Sequence, residues 1–130
     1  MKKIINTEKA PKAIGPYSQA VEINSTLYLS GQLPLDPSSN EIVKGGIVEQ
    51  TEQVFKNISY LLSSAGYSLN DVVKTTCMLT DLSNFATFNE IYAKYFTKDF
   101  PARATFQVSA LPKGVLVEVE AIAAKRIEHE

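Results

Sequence analysis

Apolar residues recur along the middle of the chain at spacings of three and four: Ile47, Val54, Phe55, Ile58, Leu61, Leu62 and Ala65, with Gly66 directly after. That rhythm lays one apolar stripe along a helix, and a glycine just past the stripe is a common stop. The spacing therefore predicts a helix over Ile47 to Ala65. Before it, Ala20 to Ile23 and Thr26 to Ser30 are short β-prone runs separated by Asn24-Ser25, which reads as a hairpin. Gly31-Gln-Leu-Pro-Leu-Asp-Pro reads as a strand end running into a turn. After the helix, Val72 to Leu79 is rich in β-branched residues and predicts a strand with Val73, Thr75, Cys77 and Leu79 on one face. A second helix follows, capped by Asp81 or Ser83, with Phe85, Phe88, Tyr92, Tyr95 and Phe96 on its apolar side and Phe100-Pro101 as its end. Two more strands, Ala104 to Val108 and Leu116 to Ala123, are joined through Leu111-Pro-Lys-Gly114. The order is ββαβαββ, an α+β arrangement with both helices on one face of a single sheet. The other face then needs a cover, which invites self-association.

Composition narrows this picture. The 130 residues, 45% hydrophobic and 21% charged, fit one domain over residues 1–130, with no repeat or linker. A formal net charge of -1, with lysines and arginines scattered among acids, lacks the basic excess expected of a nucleic-acid or anionic-membrane binder. No apolar run approaches the ~20 residues that span a bilayer, and no secretory leader is evident, so a cytoplasmic protein is expected. Cys77 is the only cysteine, and His129, one residue from the C-terminus, is the only histidine. An internal disulfide, Ser-His-Asp or Cys-His catalysis and the usual zinc sites are thereby removed. Cys77 reads as a buried structural thiol with no base to activate it.

Several residues remain that could carry chemistry. Arg103 lies in Phe-Pro-Ala-Arg-Ala-Thr-Phe, at the mouth of a strand after a proline-fixed turn. Its rigid fork of donors suits a carboxylate, and a surface ion pair is the plain alternative. Glu118 and Glu120 share one face of the last strand. They form a solvated face or, if another subunit covers it, a general base or acid of raised pKa. Asn89 follows Phe85 by four and precedes Tyr92 by three, on the apolar side of the second helix. From the residues alone, a hydrogen bond that fixes a neighbouring loop is the stronger explanation. Tyr17 sits in Ile-Gly-Pro-Tyr-Ser, and Ser30-Gly31 ends a strand where a ligand could approach the backbone closely.

Six segments, in order, carry a resemblance over nearly the whole chain: 13–18 (Ala-Ile-Gly-Pro-Tyr-Ser), 29–34 (Leu-Ser-Gly-Gln-Leu-Pro), 73–76 (Val-Lys-Thr-Thr), Asn89-Glu-Ile-Tyr, 100–105 (Phe-Pro-Ala-Arg-Ala-Thr) and 117–123 (Val-Glu-Val-Glu-Ala-Ile-Ala). Together they resemble the RidA family, also called YjgF or reactive intermediate deaminases. The resemblance implies a chorismate-mutase-like α/β fold assembled as a homotrimer with clefts between neighbouring subunits. It implies hydrolysis of 2-imino acids such as 2-iminobutanoate and 2-iminopropanoate, released by pyridoxal-phosphate-dependent dehydratases, to 2-keto acids and ammonia. No metal or cofactor is implied. The family's carboxylate-binding arginine falls on Arg103, its water-orienting glutamate on Glu118 rather than Glu120, and its cleft residues on Tyr17, Ser30, Gly31 and Asn89. Thr105 stands where the family often has cysteine, a position whose backbone contacts ligand and water. A non-enzymatic, metabolite-binding regulatory or chaperone-like trimer is the alternative. A ribonuclease or translation-inhibitor role, also attached to family members, fits poorly with the near-neutral charge.

Overall fold

The computed structural model describes residues 1–127, so His129 lies outside the described residues. Strands β1 (Lys3–Ile5), β2 (Ala20–Ile23) and β3 (Thr26–Gln32) precede helix α1 (Ile47–Ser64). Strand β4 (Val72–Leu79), helix α2 (Phe85–Tyr95), β5 (Ala102–Gln107) and β6 (Val117–Ala124) complete the fold. The expected ββαβαββ order is present, with one strand more at the N-terminus. β1 has only three residues, and just one, Ile5, is buried, too short for an alternation to show in the sequence.

The six strands form one mixed sheet in the order β1-β2-β3-β6-β4-β5. Only β4 and β5 run parallel, as expected when a helix, here α2, makes the crossover between them. β6 lies at the centre, antiparallel to both β3 and β4. The β2–β3 connection is the anticipated two-residue hairpin, with Asn24 (φ 50°) and Ser25 (φ 60°) both left-handed, as a turn that matches the strand twist demands.

Both helices pack their apolar stripes on one face. Val54, Phe55, Ile58, Leu61 and Leu62 of α1 and Phe88 and Tyr92 of α2 meet Leu27, Leu29, Cys77, Leu79, Val117, Val119, Ala121 and Ala123 of the sheet in one buried core. α1 ends where its stripe ends. Gly66 takes φ +82°, and the Tyr67 N–H turns back to the Leu62 carbonyl at 2.8 Å. Asp81 accepts from the Ser83 N–H at 2.9 Å, capping the short turn that leads into α2. α2 stops at Tyr95 rather than at Phe100-Pro101, because Phe96 already adopts an extended backbone.

Two further sequence expectations need correction. Val73 does not share a face with Thr75, Cys77 and Leu79. A register shift between Val72 and Lys74 turns Val72 inward and leaves Val73 49% exposed. β5 starts at Ala102 rather than Ala104, so Arg103, at the strand mouth as expected, is its second residue. The helix-free face carries exposed Tyr28, Val73 and Phe106, the large side chains that a cover would bury. No helix among the described residues is long and apolar enough to cross a membrane.

Candidate active site

One cluster of candidate residues forms where the edge strand β5 meets α2. Arg103 pairs in register with buried Thr75 of β4, which aims its side chain to the helix face of the sheet. There α2 presents Phe85, Asn89 and Tyr92, spaced four and three apart and so on one helix face. Arg103 Nη1 donates to Asn89 Oδ1 at 2.7 Å. Its guanidinium carbon lies 4.7 Å from the centre of the Tyr92 ring and 5.4 Å from that of Phe85. The arginine is thus held by aromatic faces and one amide, and its other N–H donors remain for a ligand. Asn89, Tyr92, Ala93, Phe100, Pro101 and Arg103 line a cavity of about 490 Å³. Thr105, in register with Cys77, points to the same sheet face as Arg103, and its hydroxyl is buried with no hydrogen-bond partner among the described residues.

A second cluster forms on the opposite face of the sheet. Along β6, Val117, Val119 and Ala121 enter the core, which turns Glu118 and Glu120 outward. Glu118 lies directly against Gly31, where a β-carbon would fall 1.9 Å from Glu118 Oε2. Only glycine permits that approach. Burial, and then the charge of Glu120, push the Glu118 carboxyl above its ordinary range. Glu120 itself is exposed, whereas Glu118 is half-buried.

Tyr17 and Ser30 complete this second cluster. Ser30 Oγ donates to the Ser18 carbonyl at 2.6 Å, and its N–H donates to the Gln19 carbonyl at 3.0 Å, tying the Tyr17 loop to β3. Buried Gln19 clamps the preceding loop, donating to the Pro11 carbonyl at 2.8 Å and accepting from the Thr7 N–H at 2.7 Å. Tyr17, Ser30, Gly31, Glu118, Lys12 and Lys113 are among the residues lining a cavity of about 580 Å³.

The seven residues selected from sequence therefore fall into two half-sites. Arg103, Asn89 and Thr105 form one, and Tyr17, Ser30, Gly31 and Glu118 form the other. Among the described residues none lines both cavities. Register makes the gap plain: Arg103 aligns through Thr75 with Ala121, two strands away and three residues along from Glu118, on the other face. Sequence reasoning missed the role of Tyr92 and Phe85 as a seat for Arg103, although their spacing around Asn89 was the available signal. It also missed Gln19, for which no local signal exists. Cys77 is fully buried as expected, and burial pushes its thiol up, away from the reactive thiolate.

Comparison with known proteins identifies the family. The profile of the family described as endoribonuclease L-PSP matches residues 7–125. A RutC family protein of Pyrococcus horikoshii is 56% identical over 125 residues, covering 96% of this chain and 99% of that protein. The mouse 2-iminobutanoate/2-iminopropanoate deaminase is 55% identical over 123 residues, covering 95% of this chain and 91% of the mouse protein. A solved structure of a Rid-family protein from Yersinia pestis superposes with a TM-score of 0.94 at 50% identity, over 96% of this chain and 100% of its own. The chain belongs to the endoribonuclease L-PSP family, that is, the YjgF/RidA family.

Proposed function

We propose that this protein is a cofactor-free deaminase that hydrolyses 2-imino acids, 2-iminobutanoate and 2-iminopropanoate among them, to 2-keto acids and ammonia. The observation that carries this reading is the seating of Arg103, held by Asn89 and two aromatic faces with donors to spare, as a carboxylate anchor requires. The deaminase name borne by the mouse relative supports it.

The working cleft in this reading joins the Arg103 half-site of one copy to the Glu118 half-site of a second copy in a homotrimer. The exposed apolar side chains on the helix-free face favour such a partner. Arg103 pairs with the substrate carboxylate and fixes the imine carbon opposite Glu118. Backbone groups at Gly31 and Thr105 hold the C=N group and a water. Glu118 takes one proton from that water as it attacks the imine carbon and delivers it to nitrogen, giving a carbinolamine, and it then relays the carbinolamine hydroxyl proton to nitrogen as the C–N bond breaks and the carbonyl forms. Water is consumed, and one 2-keto acid and one ammonia leave. Tyr17 closes the cleft or donates to the imine nitrogen. Because free water also hydrolyses such imines, the role is protective, clearing a reactive intermediate before it meets other enzymes, in the cytoplasm where dehydratases release it.

A coupled assay with threonine dehydratase tests the reading. The wild type should speed 2-ketobutyrate formation, whereas an Arg103→Ala protein of equal rate would sink it. Tight 2-ketobutyrate binding without imine turnover would favour the alternative of a metabolite-binding regulatory or chaperone-like trimer.

A further inference from the structure

Beneath Arg103 lies a buried polar contact that the proposed mechanism does not use. Tyr92 OH and Thr75 Oγ1 are 2.8 Å apart, and Thr75 is fully buried. Thr75 is also the in-register strand partner of Arg103. The residue beside the arginine in the sheet therefore holds the ring on which the arginine rests. The remaining faces of that ring are packed: Phe96 lies 4.7 Å away centre to centre, Phe55 meets it edge-on at 5.5 Å and Phe88 lies at 5.8 Å. Packing restricts where the ring sits, and the Thr75 contact selects its tilt. Among the described residues the guanidinium above it has a single side-chain hydrogen bond, to Asn89, which by itself leaves rotation about that contact free.

We propose that Tyr92, braced by Thr75, is a positioning residue that sets the plane of the Arg103 guanidinium and so the affinity of the site for carboxylates. This rests on the reading of Arg103 as the carboxylate anchor. Removing the Thr75 hydroxyl alone leaves the Tyr92 hydroxyl buried without a partner, so the ring tilts to find one and carries the arginine with it. Removing the hydroxyl from Tyr92 as well leaves a phenyl ring free to keep its packed position. The two residues therefore act as a coupled pair rather than as two independent supports.

The experiment measures 2-ketobutyrate binding by calorimetry, steady-state imine hydrolysis and Tm on the full-length protein. Tyr92→Leu should weaken 2-ketobutyrate binding about fivefold, the size of one cation–π contact, with the loss of activity falling on KM more than on kcat. Thr75→Val should weaken binding about threefold, and Thr75→Ser should restore it. Adding Thr75→Val to Tyr92→Phe should cause no further loss of affinity. Lower Tm values with wild-type affinity and KM in both Tyr92→Leu and Thr75→Val would mean that the pair serves stability only, and would overturn the proposal. Independent, additive losses from Tyr92→Phe and Thr75→Val would overturn the bracing. Arg103→Ala separates the two levels: if it alone loses binding, the anchor reading stands and the positioning role fails, and if it keeps binding, both fail.

Discussion

The two half-sites are built by different means. At Arg103 the scaffold is regular: a β-strand places the guanidinium and one helix face seats it with Phe85, Asn89 and Tyr92. At Glu118 the scaffold is a central strand, but the fit depends on an absent side chain at Gly31 and on a loop tied down by Ser30 and Gln19. The first half-site supplies a charge held ready for an anion. The second supplies a carboxyl whose surroundings raise its proton affinity. In the proposed mechanism binding and proton handling are thus assigned to separate half-sites, and substitutions should separate them too.

The largest effect is expected at the binding half. If Arg103 anchors the substrate carboxylate as proposed, Arg103→Ala removes a two-point, charge-assisted contact worth on the order of 1000-fold in kcat/KM, so 2-ketobutyrate formation in the coupled assay should fall to the uncatalysed rate. Gly31→Ala attacks the other half alone. Its β-carbon would lie 1.9 Å from Glu118 Oε2, so the carboxyl must move. A misplacement of this size should cost about 100-fold in kcat while calorimetry still finds 2-ketobutyrate bound through Arg103. Loss of binding in Gly31→Ala would show that the halves are not separable in this way.

A smaller change sharpens the role of Glu118. In the proposed mechanism the water-activating form is the carboxylate, and burial followed by Glu120 raises its proton affinity. Activity should therefore fall as pH drops through a midpoint above the ordinary 4.5 of a glutamate. Glu120→Gln removes the neighbouring charge and should move that midpoint to lower pH, read from a kcat/KM profile. An unmoved acid limb would remove Glu118 as the titrating group. The smallest effect on activity is expected far from both halves. Burial, then the hydrogen bond to Glu22 at 2.7 Å, push the Tyr67 hydroxyl up to about 12 from 10.0. A folded-state value above the unfolded one stabilises the fold fully below pH 10.0, and the contribution is lost as pH rises to about 12. Tyr67→Phe should flatten that alkaline decline in Tm and leave imine hydrolysis at the wild-type rate.

These regions were unequally legible in the sequence. The α1 stripe ran from Ile47 to Ala65 with a glycine after it, and the helix follows it to within one residue. β1 could not be read, because three residues with one buried side chain make no pattern, and its pairing with β2 is a long-range event. Periodicity also misplaced Val73, since a bulge changes the alternation through backbone hydrogen bonding that no side-chain pattern encodes. Within the site, the face bearing Asn89 was readable from helical spacing, and the preference for Glu118 came from the family resemblance. That Asn89 holds Arg103, and that Gly31 makes room for Glu118, depends on contacts between distant elements, which local sequence does not specify.

The central claim is that the two halves meet between copies of the chain. The most direct test mixes Arg103→Ala and Glu118→Gln proteins, each inactive alone, and allows their subunits to exchange. Random assortment leaves about a quarter of the inter-subunit clefts with both an intact Arg103 and an intact Glu118, so the mixture should regain about a quarter of the wild-type rate of 2-ketobutyrate formation. A mixture whose subunits have exchanged but which stays inactive would contradict the claim.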